Sequence, residues 1–277
     1  MIKKIIAGII CAVTVMSFAG CSSQSAESGG VLNNPSAEIE GNVGDVTLKD
    51  GDKYAVISVK DYGDITVKLF PDAAPKGVEN FIQLAESGFY DGKTIHRIVE
   101  DFMIQGGKAD SETNVEQFGI ETNYQARHFY GAFCYANAMG KNSTQFYIVN
   151  SKVSQDLDNI SIARLENNIT TYEDMAKSSE SGSQAEQYYK YEADYYRNLK
   201  GFTEKADDAI KAKYKEVGGT PSLDGNYTVF GQTIDGFDVL DKISAVEVEE
   251  NESMNGEMSA PKTDVIIETV TIKEYKA

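Results

Sequence analysis

Basic residues are scarce in this chain: 26 lysines and arginines stand against 43 aspartates and glutamates, for a net charge of −17. That balance argues against nucleic acid as a partner and against electrostatic adhesion to anionic lipid. Histidine is scarcer still. His96 and His128 are the only two, and neither sits in a context that reads as a metal site or a Ser-His-Asp arrangement. Cysteine is equally thin: Cys11 falls in an apolar N-terminal run and Cys21 follows it directly. Cys134 stands alone on an apparent core strand, Ala132-Phe133-Cys134-Tyr135. With Cys11 cleaved off and Cys21 modified, Cys134 has no partner for a disulfide, cysteine-based metal site or redox pair within the mature chain. Beyond the N-terminus, no apolar run approaches the roughly 20 residues a transmembrane helix requires.

What is present begins with an address. Lys3 and Lys4 precede an apolar run from Ile5 to Phe18, the pattern of a signal peptide over residues 1–20. The following Phe18-Ala19-Gly20-Cys21 resembles a bacterial lipobox, with Phe18 where leucine is usual. That resemblance implies cleavage before Cys21, lipidation of its sulfur and an extracytoplasmic chain anchored to the cell membrane. Losing Lys3 and Lys4 takes the net charge from −17 to −19. Residues 21–45 are rich in Ser, Gly, Asn and Glu and have too little apolar surface to offset the entropy of ordering. They read as a flexible tether with a reach on the order of 25–30 Å by random-coil scaling. Residues 46–277 are then the folded part.

The densest signal is Thr94-Ile95-His96-Arg97-Ile98-Val99-Glu100-Asp101-Phe102-Met103-Ile104-Gln105-Gly106-Gly107. It reads as two short strands bent around a turn. Strand residues two apart share a face, so Arg97, Met103 and Gln105 reach one pocket once the two strands lie side by side. A permanently charged fork of donors beside apolar walls suits a carbonyl group flanked by a hydrophobic ring. Four more segments keep company with it: Phe70-Pro71-Asp72-Ala73-Ala74-Pro75-Lys76-Gly77-Val78-Glu79-Asn80-Phe81; Ala136-Asn137-Ala138 with Gln145-Phe146-Tyr147-Ile148; Leu223-Asp224-Gly225-Asn226-Tyr227-Thr228-Val229-Phe230-Gly231; and Pro261-Lys262-Thr263-Asp264-Val265-Ile266-Ile267-Glu268. In order and spacing these resemble the cyclophilins, the peptidyl-prolyl cis/trans isomerases, over roughly residues 53–150 and 221–276.

The resemblance implies a mainly β fold: a closed antiparallel barrel with two capping helices. It implies that Arg97 is the catalytic residue. Phe102, Met103, Tyr147 and Leu223 would form the apolar floor and walls for a proline ring. Gln105 would orient the arginine, Ala136 and Asn137 would hold the peptide chain, and Gln145 and Tyr227 would complete the rim. Its partners would be unfolded or proline-containing secreted and surface polypeptides. Rotation about an X-Pro bond makes and breaks no bond, so neither a cofactor nor a metal is expected. Three departures stand out: Ser222 where many members have tryptophan, Tyr227 where a histidine is frequent, and Tyr147 where phenylalanine is frequent.

Between Asn150 and Pro221 lie residues the family core does not need. Ile162, Leu165, Ile169, Tyr172 and Met175 recur at helical spacing, as do Tyr188, Tyr191, Tyr195, Leu199, Phe202, Ala206, Ile210 and Tyr214. With the breaker Ser178-Ser179-Glu180-Ser181-Gly182-Ser183 between them, residues 151–220 read as an inserted helical hairpin. Its tyrosine stripe either packs the hairpin together and against the barrel or grips unfolded chain. Two alternatives to a foldase remain: a weakly or non-catalytic chaperone of the same fold that uses the hairpin, and a solute-binding lipoprotein of a transporter, which needs a different motif set.

Overall fold

Alternation of side chains writes the strands. In β1 (Lys53–Val59), Ala55, Ile57 and Val59 are buried while the residues between them face outward, the period-2 pattern of a half-buried strand. The computed structural model describes residues 46–110 and 116–277; the segments expected to be signal peptide and tether, with Cys21, lie outside the described residues. Around β1 run β2 (Gly63–Leu69), β3 (Thr94–Val99), β4 (Met103–Gly106), a two-residue β5 (Phe118–Gly119), β6 (Ala132–Ala138) and β7 (Lys141–Val149). Then come β8 (Val229–Asp235), a separate hairpin of β9 (Val248–Asn251) and β10 (Glu257–Pro261), and β11 (Val265–Glu274).

Eight of these strands pair in the order β4-β3-β11-β1-β2-β8-β6-β7, and a pairing of β4 with β7 closes the ring. The ladders are antiparallel throughout. Closure leaves the barrel without a free edge. The helices α1 (Pro75–Glu86) and α5 (Phe237–Ser244) bury one face each against it, through Val78, Phe81 and Ala85 in the first and Val239, Leu240 and Ile243 in the second. Phe81 anchors the inner core. Its ring lies 5.0 Å from Phe133, 5.4 Å from Phe230 and 6.1 Å from Phe146. Each such buried ring contributes about 1.5–3 kcal/mol of transfer free energy. The expected closed barrel with two capping helices is the one observed.

The insertion holds the expected helical hairpin, α2 (Ile162–Ser178) against α3 (Gln184–Glu204), and a further α-helix beyond it, α4 (Asp208–Val217). The second periodic run is cut after Glu204 because the Asp207 side chain accepts from the backbone N–H of Ile210 at 2.8 Å and starts a new helix. The tyrosine stripe divides as well. Its C-terminal part, Leu199, Phe202, Ala206, Ile210 and Tyr214, is buried, with Tyr214 packed 4.5 Å from Phe129 next to the barrel. Towards the tip, Tyr188 is 39% exposed. There α2 meets α3 through Tyr172, which stacks on Tyr196 at 5.7 Å and contacts Tyr189 at 6.3 Å.

Candidate active site

The pocket begins with a break in strand regularity. Along β3 the buried residues are Ile95 and Ile98, three apart, and the register slips between Ile95 and Arg97 against β4. The extra residue makes a β-bulge that re-aims its neighbours, so His96 and Arg97 are both only partly buried. A regular strand would have sent them to opposite faces. Arg97 pairs directly across the ladder with Gln105, and Val99 with Met103.

The Arg97 guanidinium is held on two sides. Its Nε donates to Glu257 Oε2 at 2.7 Å and its Nη2 to Glu257 Oε1 at 2.9 Å. Its Nη1 donates to Gln105 Oε1 at 3.2 Å. Gln105 Nε2 in turn donates to Gln145 Oε1 at 2.9 Å, and the Phe102 ring lies 5.8 Å from the guanidinium carbon. Hydrogen bonding from Arg97 holds the Glu257 carboxyl below the usual carboxylate range, against its partial burial. His96 lies beside this chain with Gln145 as a side-chain partner. Burial, helped by the charge of Lys108, pushes its pKa down to about 4.

The predicted apolar residues share one cluster: Met103, Tyr147 and Leu223 are buried, and Phe102, Ala136 and Tyr227 pack partly buried against them. Asn137 is committed to its own chain, donating to Asn226 O at 3.0 Å and accepting from Gly140 N–H at 3.1 Å. Beside the Arg97 pair opens a cleft of about 630 Å³. The barrel lines it with Arg97, Val99 and Phe102, the β9–β10 hairpin with Glu257, and the inserted segment with Val153, Ile160 and Leu199. Ser222, in place of a tryptophan, lies on the same wall.

Sequence reasoning missed what stands behind the floor. The Tyr147 hydroxyl meets His128 Nε2 at 3.0 Å. Asp224 Oδ1 accepts from both the backbone N–H of His128, at 3.1 Å, and its Nδ1, at 2.8 Å. Nδ1 faces the Asp224 carboxylate and Nε2 the tyrosine hydroxyl, so both ring nitrogens have a partner. The other carboxylate oxygen accepts from Arg127 Nη1 at 3.1 Å and from the Tyr214 hydroxyl at 2.8 Å. Arg127 Nη1 also donates to Phe202 O at 3.0 Å. All five side chains are buried. Burial pushes the Asp224 carboxyl up, but the Arg127 charge and the bonds from His128 outweigh it and hold the group below the usual range. The hydroxyl that Tyr147 carries where phenylalanine is frequent thus has a built partner. The available signal was that hydroxyl's need for a partner in a chain with two histidines. Glu257 carries no comparable mark, lying 160 residues from Arg97.

Among the described residues, no three His, Cys, Asp or Glu side chains cluster as metal ligands. Cys134 is buried, and burial pushes its thiol pKa well up, which keeps it protonated and unreactive.

The family model for cyclophilin type peptidyl-prolyl cis-trans isomerases matches residues 54–192 and 210–272. A Staphylococcus aureus protein that carries the name peptidyl-prolyl cis-trans isomerase is 34% identical over 220 residues, covering 76% of this chain and 88% of that one. A Streptococcus pyogenes protein named as a bifunctional phosphatase/peptidyl-prolyl cis-trans isomerase is 34% identical over 252 residues. That match covers 87% of this chain, and the chain spans only 41% of the streptococcal protein. The crystal structure of a cyclophilin type isomerase from Cryptosporidium parvum aligns with a TM-score of 0.49 at 20% identity, covering 81% of this chain and 99% of that chain.

Proposed function

From the premise that this chain belongs to the cyclophilin-type peptidyl-prolyl cis-trans isomerase family, we propose that the cleft at Arg97 isomerises X-Pro bonds in extracytoplasmic polypeptides. Amide resonance gives this rotation a barrier of about 18–20 kcal/mol, and uncatalysed isomerisation takes tens of seconds or longer. Catalysis then requires a site that binds the twisted amide more tightly than either planar form. In the twisted state the prolyl nitrogen turns pyramidal and regains a lone pair. A guanidinium donor can meet that lone pair while an apolar floor holds the ring. Arg97 is the donor in this reading, with Phe102, Met103, Tyr147, Leu223 and Tyr227 around the ring. Gln105 and Gln145 hold the guanidinium's other side, and Ala136 and Asn137 border the peptide path.

The observation that carries the reading is an arginine fixed on two sides, over Phe102, beside the buried cluster of Met103, Tyr147 and Leu223. The test is a protease-coupled proline-peptide assay of the chain from residue 46 onward. Arg97→Ala should lower kcat/KM on the order of 10²–10³, the loss expected for removing one transition-state donor. A wild-type rate equal to the uncatalysed one defeats the proposal. It would favour the second reading, a chaperone with the cyclophilin fold. That reading has its own support in Val153, Ile160 and Leu199, which bring the insertion into the same cleft. The address is part of the proposal too: lipid on Cys21 holds the domain outside the cytoplasm, and residues 22–45 serve as the tether.

A further inference from the structure

We propose that Glu257 is a positioning residue for this reaction: its carboxylate grips the Nε–Nη2 edge of Arg97 and so aims the remaining guanidinium donors at the substrate amide. The inference rests on the isomerase reading above. A guanidinium has five N–H donors. Two go to Glu257 and one to Gln105, which leaves one on each Nη. A twisting prolyl amide offers two acceptors, the pyramidal nitrogen and the neighbouring carbonyl oxygen. The pair therefore has no need to break when substrate arrives.

Glu257 is itself built into place. It opens β10 in the hairpin that packs against β3. The hairpin turns through Asn255 at φ 55° and Gly256 at φ 79°, left-handed conformations that suit these two residue types. The register then slips between Met258 and Ala260, and the extra residue, Ser259, is fully buried. Ser259 accepts from Asn251 Nδ2 at 3.3 Å and is a side-chain partner of the Glu257 carboxylate. A bulge beside a charged side chain is a known means of aiming it. The Arg97 side chain is only 12% exposed. A guanidinium so far out of water is costly unless paired, and a peptide laid over the cleft would remove more of its hydration.

Turnover of a proline tetrapeptide by the full chain and its Glu257→Ala, Arg97→Ala and double variants tests this. Glu257→Ala should lower kcat/KM by about 10–100-fold, in the range misplacement of a catalytic group produces, with kcat carrying the loss rather than KM. Glu257→Gln, which keeps one acceptor oxygen, should fall between wild type and Glu257→Ala. In the Arg97→Ala background, Glu257→Ala should cost nothing further, because the two act as one unit. A Glu257→Ala enzyme as fast as wild type overturns the inference, as does a faster one, in which the carboxylate had been blocking the site. A full extra loss in the Arg97→Ala background overturns it as well. Wild type without turnover would defeat the isomerase reading separately. The pair is then read from the Arg97 Nε–H resonance, which should be sharp and protected in wild type and lost in Glu257→Ala; an unchanged resonance overturns the inference.

Discussion

His96 shows how much one inserted residue does. As the bulge residue of β3 it shares a side with Arg97 and is packed so that burial drives its pKa down to about 4. The folded protein therefore holds it neutral, whereas the unfolded chain protonates it near the ordinary 6.5. For a base with a lowered folded pKa, the unfolded state takes up the proton first as pH falls. Stability from this residue is present above pH 6.5 and erodes between 6.5 and about 4. Urea midpoints measured at pH 7, 5.5 and 4.5 should fall along that series. In His96→Gln the fall should be shallower; an unchanged slope would mean that another group sets it. Asp224, with its lowered carboxyl, acts in a separate window: its contribution is lost only below the ordinary 3.8. Alternation predicts His96 on the face opposite Arg97. Nothing local in Thr94-Ile95-His96-Arg97 announces the slip, which is a property of two strands pairing. Arg97, Met103 and Gln105, by contrast, were legible because their spacing survives the bulge.

The insertion is a part of the barrel as much as an appendage to it. Phe202 O and the Tyr214 hydroxyl, both from inserted helices, are partners of Arg127 and Asp224 beneath the pocket floor. Replacing residues 151–220 by a short Gly/Ser loop leaves the Arg127–Asp224 pair but strips those partners from it, at about 1.5–3 kcal/mol for each hydrogen bond to a charged group that is lost. The chain should then melt several degrees lower or fail to fold. Trimming only the tip should not. The Tyr172 and Tyr189 rings lie 6.3 Å apart, so a short joint between those residues leaves Tyr195, Leu199, Phe202 and Tyr214 in place, and loop length itself matters little. Calorimetry of the two deletions separates these outcomes; equal Tm values would show the contacts beneath the floor to be dispensable. Helical periodicity revealed that helices were here, and it pointed to the buried face from Leu199 to Tyr214. It failed at Asp207, whose capping side chain was readable, and at Asp224, whose partners come from segments such as His128, 96 residues away.

For the whole molecule, the strongly acidic composition gives no electrostatic reason to remain at an anionic surface. In the proposed account, membrane attachment rests on Cys21, which lies outside the described residues. Cys21→Ser should move the protein from the membrane pellet to the soluble or unprocessed fraction. A variant that pellets and migrates like wild type removes the lipid from the account. The barrel as a whole was legible because five motif segments share one order and spacing. The closing pairing of β4 with β7 came with that resemblance rather than from either strand alone, since β4 has only four residues.

The position of β11 in the ring sets when such a molecule can begin to work. β11, residues 265–274, lies between β3 and β1, so the first strand of the barrel waits for the last strand of the barrel. Pairings that span so much sequence form slowly, because chain closure must precede any gain from contact. Synthesis delivers the N-terminus first, and a nascent chain ending before Val265 has no closed wall to carry Arg97. Glu257, too, is made only just before β11. On the proposed isomerase reading the chain is therefore inert until β11 has been made, and the onset of its activity would time the closing of its own barrel.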